Sequence, residues 1–86
     1  MTHELKIIDK YFIAVRNGTK NFELRKNDRN FNVGDILILW KVDENGNRTG
    51  EYLKRKIMYI LQDCPEYGLK EGYCILSLGY MWEVIK

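Results

Sequence analysis

Gly18-Thr19-Lys20-Asn21-Phe22-Glu23-Leu24-Arg25 packs a helix stop, a lysine, a glutamate and an arginine into the entry of one strand. Side chains of a strand alternate between faces. The spacing therefore predicts Phe22 and Leu24 in a core, with Asn21, Glu23 and Arg25 on the opposite wall and Lys20 at its mouth. A carboxylate between two cations on one wall reads as a site that holds a polar, anionic ligand. The plainer alternative makes Lys20 an edge charge that blocks strand-to-strand aggregation. Glu23 and Arg25 would then form a structural bridge, worth about 0.2–1 kcal/mol if exposed.

Upstream of this stretch, residues 4–8 read as a short strand and 10–16 as a helix, with Asp9 as its N-cap and Phe12, Val15 and Ile13 as the buried stripe. Asn17-Gly18 ends that helix as a left-handed C-terminal cap. Downstream, the strand runs over 21–26 and a β-turn at 32–35 leads into Ile36-Leu37-Ile38-Leu39-Trp40. That unbroken apolar run fits a strand buried on both faces. Asp43-Glu44-Asn45-Gly46-Asn47 predicts an exposed hairpin tip, with Asn45-Gly46 supplying positive φ angles. The returning strand, 52–61, is long enough to need a bend or bulge, expected at 54–56. After the Asp63-Cys64-Pro65 break, residues 73–78 form another core strand, and Gly79 marks a bulge or turn before a closing segment at 81–85. Five or six short strands with one helix predict a mainly β (α+β) domain, a small, partly closed β-barrel. Ligands of such barrels bind on a face or at a mouth, and the helix-to-strand corner is the natural mouth.

Eighty-six residues make one domain, spanning 1–86. With 45% hydrophobic residues and 13% aromatics, the chain carries enough apolar surface to fold alone. The formal charge of +2 does not announce a nucleic-acid binder, but its distribution is uneven. Between positions 16 and 29 stand Arg16, Lys20, Arg25, Lys26 and Arg29 against Glu23 and Asp28, a local excess of three cations. That is the electrostatic footprint a phosphate backbone favours. Lys54-Arg55-Lys56 is a second basic cluster, read equally well as ordinary solvated charge. The charged N-terminal region lacks the apolar core of a signal peptide, and no apolar run is long enough to span a bilayer, so a cytoplasmic location without membrane association is expected. Cys64 and Cys74 show no metal or redox spacing and read as free, mostly buried thiols. With His3 the sole histidine, neither a metal nor a cofactor is expected.

The spacing Gly18-x-Lys20-x-x-Glu23-x-Arg25, after a short helix and before Val33-Gly34-Asp35, resembles the signature of the ASCH domain, a branch of the PUA-like β-barrels. The likeness extends to His3-Glu4-Leu5-Lys6, Lys26-Asn27-Asp28-Arg29, Phe31-Asn32 and Gly72-Tyr73, covering most of the chain. It comes nearest to a group of small, largely uncharacterised bacterial and phage domains. The resemblance implies a PUA-like barrel, a functional cleft beside the Gly18 to Lys20 corner, and RNA or a nucleotide-derived ligand. Some ASCH-like proteins are implicated in ribonuclease activity, and one branch hydrolyses an acetylated cytidine with a lysine and a nearby threonine. Here the residue three beyond Lys20 is Glu23, and Thr19 precedes the lysine.

Two functions follow, with the non-catalytic one preferred. The first is an RNA-binding module whose cleft at 18–25, with a basic rim, holds phosphates on Lys20 and Arg25. Its ligand-binding set is Lys20, Glu23, Arg25, Lys26, Arg29, His3 and Tyr73. Within that set, Lys26 and Arg29 also fit solvated turn residues, and Tyr73, which opens a core strand, also fits burial. Trp40 and Tyr67 are further candidates for stacking on bases. His3 could act as an acid or base, or simply sit partly exposed. The alternative is an enzyme acting on RNA or a modified nucleoside, ribonuclease- or amidohydrolase-like, with Lys20 as base and Glu23 as proton relay. A protein partner stays open as a third reading. Tyr80-Met81-Trp82 with Val84-Ile85 fits either the last barrel strand or a dimer patch, which makes the chain a monomer or a weak dimer.

Overall fold

Alternating burial builds one curled sheet. His3, Leu5 and Ile7 of the first strand, Leu37 and Leu39 of the third, Ile57 of the fourth, and Cys74 and Leu76 of the fifth all turn inward and are buried. Withdrawing each large aliphatic side chain from water contributes about 1.5–3 kcal/mol. The computed structural model describes residues 1–80, and the order of elements is β1 (Thr2–Ile8), α1 (Asp9–Arg16), β2 (Phe22–Lys26), β3 (Ile36–Val42), β4 (Arg48–Leu61), a 3-10 turn (Pro65–Tyr67) and β5 (Tyr73–Tyr80). The five strands lie in the order β1-β3-β4-β5-β2. β1 runs parallel to β3, and every other pairing is antiparallel. The sheet curls into a half-barrel with α1 against its core, as the mainly β, partly closed barrel predicted it would. The expected closing segment at 81–85 lies outside the described residues.

α1 begins one residue earlier than the spacing predicts. Ile8 holds the N-cap position in extended conformation without a side-chain cap, and Asp9 is already in the first turn. β1 runs into the helix with no linker, so Asp9 has no place outside it. Its carboxylate instead favours the helix dipole and sits 3.2 Å from the Lys41 ammonium. Phe12 and Val15 are buried, whereas Ile13 turns outward at 38% exposure. The cap at the other end forms as expected: Gly18 has φ +79° and its N–H donates to the Val15 carbonyl at 3.1 Å. The Arg55 guanidinium donates to the same carbonyl at 3.3 Å, adding a cation at the negative end of the helix.

Three further expectations are corrected. On β3, Leu37 and Leu39 are buried but Ile36, Ile38 and Trp40 are half-buried, so the apolar run has one core face rather than two. The hairpin tip forms, yet of its central pair only Gly46 has positive φ. The Asp43 carboxylate organises the turn by accepting from the Asn45 and Asn47 N–H groups, both at 2.9 Å. β4 has no bulge at 54–56: its register against β3 shifts between the Trp40–Tyr52 and Val42–Arg48 pairs, and against β5 it bulges between Ile57 and Tyr59. Met58 is the extra residue, and it lies over Gly79, where a Cβ would come within 2.6 Å of its Cγ. The absent side chain at Gly79 thus decides where the strand can bulge.

Candidate functional site

β2 is turned over relative to its hydrophobic pattern. Glu23 is 3% exposed, whereas Phe22 and Leu24 are 44% and 55% exposed. The cause is the pairing with β5, in which Glu23 lies opposite Leu76 and Arg25 opposite Cys74, both fully buried. Directly paired residues share a face. The carboxylate is therefore carried inside the half-barrel, and only paired cations make that tolerable.

Those cations are present. The Lys20 ammonium donates to Glu23 Oε1 and, at 2.8 Å, to the Phe22 carbonyl. Its Nζ stands 5.2 Å from the Tyr11 ring centre and 5.0 Å from that of Phe22, within cation–π range of both. Arg25 Nε donates to Glu23 Oε2 at 2.9 Å, and its Nη2 donates to the Lys6 carbonyl on β1 at 2.7 Å. An ammonium has three donors and a guanidinium five, so one remains on Lys20 and three on Arg25 beyond these bonds. Side-chain exposure rises from Glu23 at 4% to Lys20 at 15% and Arg25 at 25%, so the trio runs from the interior to the rim.

The rim opens on a cleft of about 680 Å³ between the two edge strands and α1. Ile7 and Ile8 of β1, Tyr11 and Ala14 of α1, and Phe22 and Leu24 of β2 make its walls largely apolar. Lys6, Lys10, Lys20 and Arg25 line it as well, against Glu23, giving four cations minus one anion, or +3. Pockets of this size with an apolar body and a few convergent polar groups are the usual form of a ligand site. Lys6, Lys10 and Tyr11 were not singled out from the sequence. No local signal marks them, because only the approach of α1 and β1 to β2 brings them beside Lys20.

The remaining candidates scatter. Lys26 and Arg29 line a second hollow of about 140 Å³ with Leu5, Asp28 and Phe31, on the other side of Arg25. Arg29 Nη1 donates to the Glu4 carbonyl at 2.9 Å, so Arg25 of β2 and Arg29 of the loop that follows it both reach backbone carbonyls of β1. Tyr73 pairs with Lys26 on the outward face, half-buried, with the Lys70 ammonium 5.4 Å from its ring centre, and it does not line the cleft. His3 is outside the cleft too, and it is buried rather than partly exposed. Its Nε2 bonds Asp35 Oδ2 at 2.8 Å and its ring meets Phe31 edge to face at 4.8 Å. The His3 hydrogen bond is the main influence that holds the Asp35 carboxyl down at about 2. Burial opposes it, and the Asn32 N–H and the N-terminal ammonium reinforce it. Among the described residues, no group of three or more His, Cys, Asp or Glu side chains could hold a metal ion, and no helix is long and apolar enough to cross a membrane.

The family model described as "Domain of unknown function (DUF3850)" matches residues 2–78, and the chain belongs to that family. It is also similar to the "Uncharacterized 12.9 kDa protein in GpA 3'region" of Escherichia phage P2, at 54% identity over 37 residues. That match covers 43% of this chain and 34% of the relative, about a third of the relative's length. The crystal structure of hypothetical protein PH0355 superposes with a TM-score of 0.63 over 94% of this chain and 100% of its own, at 20% identity. At that identity the likeness is one of fold.

Proposed function

We propose that this member of the DUF3850 family is a non-catalytic RNA-binding module, related to the ASCH branch of the PUA-like barrels, that takes single-stranded RNA into the cleft between β1 and β2. The observation that carries the reading is the buried Glu23 carboxylate, which fixes Lys20 and Arg25 at the rim with donors to spare. Each part has a task. Tyr11 and Phe22 offer ring faces, and the aliphatic walls an apolar bed, for a base splayed out of its strand. Lys6, Lys10, Lys20 and Arg25 surround that bed with charge for the flanking phosphates, Arg25 by its planar fork. Lys26 and Arg29, at the second hollow, lengthen the basic rim.

Lys20 supports binding better than base catalysis. Its ammonium is committed to the Glu23 carboxylate and the Phe22 carbonyl, so it stands as a donor toward any guest. Filter binding of short RNA and DNA oligomers across a salt series tests the proposal. With about three to five phosphates neutralised on a single strand, log affinity should fall against log salt with a slope of about −2 to −3.5. Lys20→Ala and Arg25→Ala should each weaken binding by about 1–2 kcal/mol, near the low end for a hydrogen bond to a charged group because both side chains are partly solvated. Wild-type affinity in both variants would remove the cleft as the site. Turnover of the oligomer that Lys20→Ala abolishes at unchanged affinity would establish an enzyme in place of a binding module.

A further inference from the structure

The outer face of β1, β3 and β4 carries an aromatic pair that the cleft does not use. Lys6 of β1 lies opposite Trp40 of β3, and Trp40 lies opposite Tyr52 of β4, so the three side chains form one row across the sheet. The Trp40 and Tyr52 ring centres are 4.9 Å apart, tilted at 48°. Three contacts hold the indole in place: its Nε1–H donates to Glu4 Oε1 at 2.8 Å, Tyr52 packs beside it, and the Arg48 guanidinium lies 4.5 Å from the ring centre. Arg48 is itself 3.5 Å from the same Glu4 oxygen. Tyr52 nevertheless leaves 49% of its surface in water, while α1 packs Phe12 and Val15 on the opposite, core side. Among the described residues no helix covers this face. Lys56 stands exposed two rows along, and Lys6 belongs both to this row and to the lining of the cleft.

We propose that this face is a base-stacking platform, on which the single strand that enters the cleft continues outward. Tyr52 and Trp40 take a base, and Lys6, Arg48 and Lys56 meet the adjoining phosphates. The inference rests on the RNA reading of the cleft. Sequence-tolerant stacking needs a ring that is exposed and already ordered, with cations beside it. Trp40 and Tyr52 satisfy this: the ordering contacts come from the side of Glu4 and Arg48, and the open surface belongs to Tyr52. From the cleft edge of β1 to β4 is two inter-strand spacings, about 10 Å. A cross-strand pair that served only the sheet would not distinguish oligomer lengths.

Fluorescence anisotropy with labelled oligouridines of two lengths, a dinucleotide and an octamer, tests this on the full chain. Tyr52→Ala should bind the octamer about ten-fold more weakly, within the range that base–aromatic stacking spans, and the dinucleotide as wild type does. Tyr52→Phe, which keeps the ring, should keep the octamer affinity. Arg25→Ala should weaken both lengths, because it acts at the cleft. Unchanged octamer binding by Tyr52→Ala beside a weakened Arg25→Ala would overturn the platform and leave the cleft standing. A Tyr52→Ala loss shared by the dinucleotide would also overturn it, since the ring would then be acting on the cleft. No binding of either length by the wild type would overturn the RNA reading and the platform with it. Far-UV circular dichroism of each variant separates a lost contact from a lost fold.

Discussion

Replacing Glu23 with glutamine removes one charge while keeping the shape of the side chain. The carboxylate accepts from Lys20 on one oxygen and from Arg25 Nε on the other. A glutamine offers one acceptor oxygen and an NH₂ group, so in either orientation one of the two cations faces a donor. A hydrogen bond to a charged group contributes about 1.5–3 kcal/mol, and breaking a fully buried ion pair costs about 3–5 kcal/mol. Lys20 and Arg25 are 15% and 25% exposed and can swing toward cleft water, which places the expected loss at the low end, about 2–3 kcal/mol. In a domain of this size 1 kcal/mol moves Tm by about 4–8 °C, so the midpoint should fall by about 8–24 °C. Urea unfolding followed by far-UV circular dichroism measures the loss directly, with the slope m as the control for a change in the unfolded state. Stability within about 0.5 kcal/mol of wild type at unchanged m would refute the reasoning, because an organising buried carboxylate cannot be neutralised that cheaply. The apolar counterpart, with Lys20→Met, Glu23→Leu and Arg25→Met combined, should recover most of the stability, since a buried charged group is often no better than hydrocarbon of the same volume. It should also lose RNA binding, which would show that the charges are kept for a ligand and not for the fold.

The other expectations are narrower. Gly18→Ala should cost about 1–2 kcal/mol, because φ is +79° and a Cβ there would lie 2.8 Å from Tyr80 Oη. Gly46→Ala, at φ +82° in open space, should cost less, and Tyr80→Phe should close part of the difference; equal losses at both glycines would show that the Tyr80 contact is immaterial. Asp35 is depressed from 3.8 to about 2 in the folded state, so its contribution to stability is complete above 3.8 and is lost as pH falls through about 2. The urea midpoints of wild type and Asp35→Asn should therefore converge on acidification through that window, and parallel curves would show that the His3 bond does not hold the carboxylate. Burial, reinforced by the charge of Asp28, pushes the Cys74 thiol up, and Cys64 is also buried and unpaired. Native protein at neutral pH should resist a thiol reagent and take up two labels in urea by mass spectrometry; fast native labelling of Cys74 would mean that the β2 and β5 pairing opens readily.

Local chemistry made much of the fold legible. Asn17-Gly18 ends a helix wherever a left-handed residue is needed after it, and Asp43 through Asn47 turns a chain by its own side-chain bonds. Leu37 and Leu39 announce a core strand by hydrophobicity alone. In β2 the alternation of Phe22 and Leu24 with Glu23 and Arg25 separated the two faces correctly, but hydrophobicity assigned the wrong face to the core. Alternation states which residues share a face; which face is inside is decided by the partner strand, here by Leu76 and Cys74 opposite Glu23 and Arg25. No residue near β2 in sequence carries that information. Lys20, Glu23 and Arg25 were thus recognisable as a group from spacing, whereas the burial of the carboxylate and the nearness of Tyr11 and Lys6 depend on contacts across the fold. The burial of His3 was hidden for the same reason, since its partner Asp35 lies 32 residues away.

The reversal of β2 also accounts for the cleft itself. β1 and β2 are the two ends of the sheet, and they approach closely enough for Arg25 of β2, and Arg29 of the loop just after it, to reach the carbonyls of Lys6 and Glu4. Those carbonyls are two residues apart on one edge of β1, the repeat at which a neighbouring strand would present its own N–H groups. Guanidinium donors thus stand where backbone donors of a closed barrel would be. They satisfy the edge without drawing β2 in to pairing distance, because a side chain intervenes between the two backbones. Had Phe22 and Leu24 pointed inward, the interior at this end would be hydrocarbon, and shedding water would favour closing the gap. With Glu23 inward, Lys20 and Arg25 must remain beside it, and both need access to water for their spare donors. The same carboxylate that orders the cations therefore keeps the half-barrel open, so the site and the incomplete closure of the fold have one cause.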